Sequence, residues 1–191
     1  MQKIDVPNSL IGMSHIDETI CDDLIDFYKK DKMFPAWEGV SAGQKIQKDI
    51  KESFDKSLVI SLQHPAIIKY IKCLQDCING YAELYPTLNA IKFRLANIFN
   101  IQKYPKGGGY KIWHCERMNS FAQTNNRVLA FMTYLNTVED GGETQFALQE
   151  ATIKAKKGRT LIWPSEWSHL HRGVPSPTKE KYIATGWFEL A

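Results

Sequence analysis

A chain of 191 residues with 43% hydrophobic and 24% charged residues has enough apolar material for a packed core, which excludes intrinsic disorder. The formal net charge of +3 is not gathered into one run, so nothing in the charge pattern calls for a nucleic acid partner. Four cysteines do not make a dense disulfide framework, and no apolar run reaches the length needed to cross a membrane.

Residues 1–10 carry Asp5 and no apolar stretch, so no secretory leader is expected and a cytoplasmic setting is the default. Ser14-His15-Ile16-Asp17 reads as a capping box ahead of a first helix. Ile20, Leu24, Phe27 and Tyr28 keep helical spacing there, and Lys29-Lys30 suit its end. Residues 34–55 show weak periodicity and read as loop and short strands. A second helix is expected from Pro65, with Ile67, Ile71, Leu74, Ile78 and Tyr81 on one stripe and Pro86 stopping it. Cys73 and Cys77 share a face of that helix and read as half-buried thiols.

The second half changes character. Short apolar runs at 91–101, 110–113, 128–135, 144–148, 151–155, 160–163 and 182–190 alternate with glycine and proline turns. Strands at this spacing predict a sandwich or barrel of the double-stranded type. Helices first and strands after predict an α+β fold with the helices packed on one sheet. The length suits one domain, with 1–90 as a helical support region and 91–191 as a catalytic β core.

The chemistry is concentrated in that β core. In an extended segment, residues two apart point the same way, so His114 and Glu116 can meet one ion. With the distant His171 they give the two-histidine, one-carboxylate set that holds mononuclear Fe(II). Lys181 follows His171, where an ammonium can hold a second anionic group beside the metal.

The stretch 101–187 resembles the catalytic core of Fe(II)- and 2-oxoglutarate-dependent oxygenases, in their prolyl 4-hydroxylase-like branch. The matching pieces begin with Tyr104-Pro105-Lys106-Gly107, Tyr110 and His114-Cys115-Glu116. Gly141-Gly142-Glu143-Thr144-Gln145-Phe146 and Lys157-Gly158-Arg159 follow, then His171-Arg172-Gly173, Lys181-Tyr182 and Trp187. The resemblance implies a double-stranded β-helix (jelly-roll) core and Fe(II) bound by His114, Glu116 and His171. It implies that Lys181 pairs with the far carboxylate of 2-oxoglutarate, helped by the hydroxyls of Tyr104 and Thr144. O2 is then the co-substrate, and ascorbate is a reductant the resemblance admits. Trp187 is expected to border the substrate pocket, with Trp113 and His169 as further pocket residues. His169 has two other readings, behind the ligands or exposed.

Two departures from the branch stand out. Glu116 occupies a position where the branch usually has Asp, and the Gly107-Gly108-Gly109 turn looks about one residue longer than usual. The glycine run reads as a hairpin turn, with part of a lid as the alternative. The substrate the resemblance implies is a prolyl residue of a protein or peptide, with no nucleic acid and no membrane involved. A free amino acid or other small molecule would use the same chemistry, and a non-catalytic jelly-roll binding protein is the alternative from another class. Bacterial or viral origin is compatible with these readings, and the oligomeric state is not legible.

Overall fold

The structure is a computed structural model and describes residues 1–6, 8–40, 46–117 and 122–191. Its first part holds β1 (Gln2–Lys3), β2 (Gly12–His15), α1 (Glu18–Lys30), β3 (Trp37–Glu38), β4 (Phe54–Val59) and α2 (Pro65–Leu84). Next come β5 (Phe93–Leu95), β6 (Ile98–Tyr104), the short α3 (Ala122–Asn125) and β7 (Arg127–Tyr134). The chain closes with β8 (Thr144–Phe146), β9 (Ala151–Ile153), β10 (Arg159–Pro164), β11 (His171–Gly173) and β12 (Lys181–Leu190).

The helices follow local chemistry. Asp17 caps α1 by accepting from the Thr19 amide at 2.8 Å, with Glu18 in the first turn and Lys29 and Lys30 in the last, where each suits the helix dipole. The cap is therefore Asp17 and not Ser14, because Ser14 lies in β2, paired with Thr160 of β10. α2 starts at Pro65 as expected, with the His64 ring capping the Ala66 amide, and it stops one residue before Tyr85 and Pro86. Within the 34–55 stretch, β3 and the start of β4 form a short antiparallel pair, while 41–45 lie outside the described residues.

The strands form two antiparallel sheets. The larger runs β1-β2-β10-β7-β12-β6-β4-β3, with β5 also on β12, and the smaller runs β11-β8-β9. Two opposed antiparallel sheets with helices on one outer face are the α+β double-stranded β-helix. Period-two alternation assigns the faces. Leu129 and Phe131 of β7 join Leu24, Phe27, Ile67, Tyr70 and Leu74 in a core between sheet and helices. Ala130, Met132 and Tyr134, the alternate residues, face the smaller sheet and pack with Phe146, Ala151, Trp163 and Ile183. Residues 110–113 do not form the strand expected of a short apolar run. They carry only an isolated bridge between Lys51 and Tyr110, because no neighbouring strand continues the ladder.

Gly186 marks how tightly the helix-side core is filled. A Cβ there would lie 2.6 Å from the Phe131 ring and 3.1 Å from Phe99 Cβ. Gly186→Ala is expected to lower stability by about 1–3 kcal/mol through overpacking. Urea denaturation checks this, and a midpoint equal to wild type would show that the Phe131 ring yields freely.

Candidate metal and cosubstrate site

The two ligand histidines are cross-strand partners. His114 and His171 exchange backbone hydrogen bonds of 3.0 Å and 2.8 Å, forming an isolated antiparallel bridge at the first residue of β11. Their rings lie 4.3 Å apart. His114 Nδ1 contacts the Ile112 carbonyl at 3.0 Å, and His171 Nδ1 contacts the His169 carbonyl at 2.9 Å. A carbonyl only accepts, so each Nδ1 carries the proton and each Nε2 keeps its lone pair. Tyr110 stacks on the His114 ring at 3.6 Å and fixes its plane.

Glu116 completes the set. Its Oε1 lies 3.4 Å from His171 Nε2, and one donor atom from each of His114, Glu116 and His171 falls within 4.8 Å of the others. Burial would push the Glu116 carboxyl up, but the polar surroundings at His171, His114 and the Arg127 guanidinium outweigh it and hold it at about 2. Burial and the neighbouring His171 push His114 down to about 3. At neutral pH a carboxylate and a neutral imidazole therefore stand ready, which is the state a cation requires. The donor chemistry fits Fe(II): two nitrogens and one carboxylate oxygen on one side, with the cavity on the other.

That cavity measures about 520 Å³, within the usual range of small-molecule sites. Alternation along β12 aims Lys181, Ile183, Thr185 and Trp187 at it, while Tyr182, Ala184 and Phe188 face the helices. The Lys181 ammonium is buried, donates to the Gly142 carbonyl at 3.1 Å and lies 5.0 Å from the centroid of the Tyr104 ring. Burial lowers it to about 8, against the opposing charge of Glu143. Tyr104 and Thr144 line the same cavity. Tyr104 Oη donates to Gln102 at 2.6 Å, and Thr144 Oγ1 accepts from Tyr134 Oη at 2.6 Å.

Of the expected pocket residues, Trp187 lines the cavity and Trp113 and His169 do not. His169 is buried; its ring bonds the Ser9 carbonyl at 2.8 Å and Ser168 Oγ at 3.0 Å, anchoring the N-terminal segment. Its contribution to the site is its own carbonyl, which orients His171. Trp113 is 38% exposed, with the Arg172 guanidinium over its ring. The glycine turn is tied down, with Gly107 N donating to Ser176 O and Gly109 O accepting from Glu52 N, which does not suit a lid.

Other wall residues escaped the sequence reading. Asp55 of β4 accepts from Lys51 at 2.6 Å and from Gln102 at 2.9 Å, so a polar string runs from Lys51 to Tyr104. Gln102 had a local signal, standing two before Tyr104 on one strand face. Lys51, Asp55, Arg127 and the rim residue Trp37 had none.

Comparison with known proteins agrees with this geometry. Residues 99–189 match the family described as the 2OG-Fe(II) oxygenase superfamily, and the match spans all four of His114, Glu116, His171 and Lys181. The similarity is of the prolyl hydroxylase kind. A probable prolyl 4-hydroxylase 9 of Arabidopsis thaliana is 29% identical over 114 residues, covering 47% of this chain and 39% of that protein. The chain thus spans well under two thirds of that relative. The fold is shared with a viral collagen prolyl hydroxylase from Paramecium Bursaria Chlorella virus-1, solved as a 2OG complex. It has a TM-score of 0.71 and 20% identity, and the overlap covers 98% of this chain and 99% of that one. A prolyl hydroxylase from Trichoplax adhaerens, solved with a hypoxia inducible factor oxygen degradation domain peptide fragment, has a TM-score of 0.76. It is 17% identical, and the overlap covers 95% of this chain and 84% of that one.

Proposed function

We propose that the protein is an Fe(II)- and 2-oxoglutarate-dependent dioxygenase that hydroxylates a prolyl residue of a protein or peptide. The observation that carries the reading is the convergence of His114, Glu116 and His171 on one wall of the cavity that also holds the buried Lys181 ammonium. Bound there, iron and 2-oxoglutarate supply the oxidising chemistry, with O2 consumed and succinate and CO2 released. The chain supplies orientation and a screened pocket. His114 and His171 would hold the metal through Nε2, and Glu116 through Oε1. Lys181 would hold the far carboxylate of the cosubstrate by a charge-assisted hydrogen bond, with the Tyr104 and Thr144 hydroxyls beside it. Met132, Trp163 and Ile183 give the cavity apolar walls that limit water around the reacting atoms.

A peptide substrate is supported by the peptide bound to the Trichoplax adhaerens enzyme and by the open rim at Trp37, 70% exposed. The whole of 1–191 is taken as one working unit, with the helices of 1–90 bracing the large sheet. Among the described residues no helix is long and apolar enough to cross a membrane. Four free cysteines suit a reducing cytoplasm. The test is succinate release and a mass gain of one oxygen on proline-containing peptides, run beside free proline and other amino acids, with Fe(II), 2-oxoglutarate and ascorbate. Hydroxylation confined to free amino acids would move the substrate class. No iron-dependent succinate under any condition would sink the oxygenase reading.

A further inference from the structure

Glu116 differs from the two histidines in how it is held. The histidines are fixed by the backbone bridge and by Nδ1 bonds to carbonyls, whereas Glu116 sits in a turn and its carboxylate is placed by other side chains. Trp187 Nε1 donates to Glu116 Oε2 at 2.7 Å. Arg127 Nη1 lies 3.4 Å from the same oxygen and 3.2 Å from the Glu116 carbonyl oxygen. The Arg127 guanidinium lies 3.5 Å from the centroid of the Trp187 ring, so the two contacts brace each other. Both come from the large sheet: Arg127 opens β7, and Trp187 pairs with Ala130 across β12 and β7.

We propose that Trp187 and Arg127 are positioning residues that fix the reach of Glu116, committing Oε2 to the sheet and presenting Oε1 alone to the metal. The inference rests on the metal-site reading above. An indole N–H only donates and cannot bind a cation, so its bond to Oε2 selects which oxygen is presented. Oε1 is the oxygen that lies toward His171, 3.4 Å from its Nε2. The site is thereby matched to glutamate. Aspartate, one methylene shorter, reaches either the indole or the ligand cluster from the same backbone position, but not both. Outer partners of this kind typically change metal affinity about 10–100-fold.

The experiment is Mn(II) titration followed by electron paramagnetic resonance, without cosubstrate, on wild type, W187F, E116D and the double variant. W187F keeps an aromatic face for Arg127 and removes the donor together with part of the indole, so the double-variant cycle is what separates the lost hydrogen bond from the lost packing. The expected result is about 10–100-fold weaker Mn(II) binding in W187F, and a much smaller effect, under about threefold, of W187F in the E116D background. Equal binding by W187F and wild type, or the same loss in both backgrounds, overturns the inference and leaves Trp187 a packing residue. Wild type that binds no Mn(II) overturns the metal site itself along with the inference. Should W187F melt below the titration temperature, R127Q is read in the same cycle against the same two outcomes. Co(II) absorption at saturation gives a second reading. W187F is expected to change the d–d band as the freed carboxylate turns both oxygens inward, and an unchanged band counts against the inference.

Discussion

Replacing Lys181 with alanine is expected to weaken 2-oxoglutarate binding about thirty-fold to several-thousand-fold. The side chain is buried beside Tyr104 and Gly142, so its loss leaves a dianionic cosubstrate with one end desolvated and unpaired. Truncating one partner of such a buried charge pair costs about 2–5 kcal/mol, which at 1.4 kcal/mol per decade gives that range. The same contact sets a pH dependence. In the free protein, burial brings the Lys181 ammonium down to about 8. A bound carboxylate favours the charged form and raises it, so affinity is full below about 8. As pH rises through that point, binding must take up a proton, and affinity falls by up to about tenfold per unit until the complex itself loses the proton. Anaerobic titration of the Fe(II)-loaded protein between pH 7 and 9.5, following the visible charge-transfer band, checks both effects. An alanine variant with wild-type affinity, or affinity that is flat across that range, would remove Lys181 as the carboxylate partner.

His171→Ala is expected to lose more metal affinity than the about 10–100-fold typical of an outer partner, because it removes one of three donors outright. Succinate formation should fall to background. The bridge to His114 uses backbone amides and carbonyls, so the fold should persist. A ligand that binds only the folded state raises stability by RT ln(1 + [L]/Kd). Added Mn(II) should therefore raise the melting temperature of wild type and leave the variant unmoved. A variant that responds to Mn(II) as wild type does would place the ion elsewhere.

Much of this was legible where the physics is local. α2 was readable because Pro65 and Pro86 punctuate a stripe of apolar residues at helical spacing. The pairing of His114 with Glu116 was legible as a spacing of two, although Glu116 lies in a turn and not in an extended strand, and His171 and Lys181 were legible through the resemblance of the motifs around them. Errors arose where pairing partners decide. Ser14 carries a good capping pattern, but pairing with β10 claims it for a strand and passes the cap to Asp17. Residues 110–113 form a short apolar run between turns, yet the sheet offers them no continuing edge. His169 stands two before His171, which in a regular strand would share a face. A 3-10 turn over Trp167–His169 rotates it onto the Ser9 carbonyl instead. The outer contacts of the site were out of reach for the same reason. Trp187 and Glu116 are 71 positions apart, and Gln102 and Asp55 are 47 apart, so only the folded register brings them together.

The backbone bridge between His114 and His171 also decides what the ion is to this protein. In a zinc finger the metal is the core, and withdrawing it unfolds the chain. Here the separation of the two imidazoles is written into amide hydrogen bonds at the heart of a sheet fold whose two apolar cores stand without it. On the proposed function a bound ion would be a guest and not a keystone. Stripping iron with a chelator should then leave the far-UV circular dichroism unchanged, and added ferrous iron should restore succinate release without a refolding step. A chain that unfolds on chelation would make the metal part of the core.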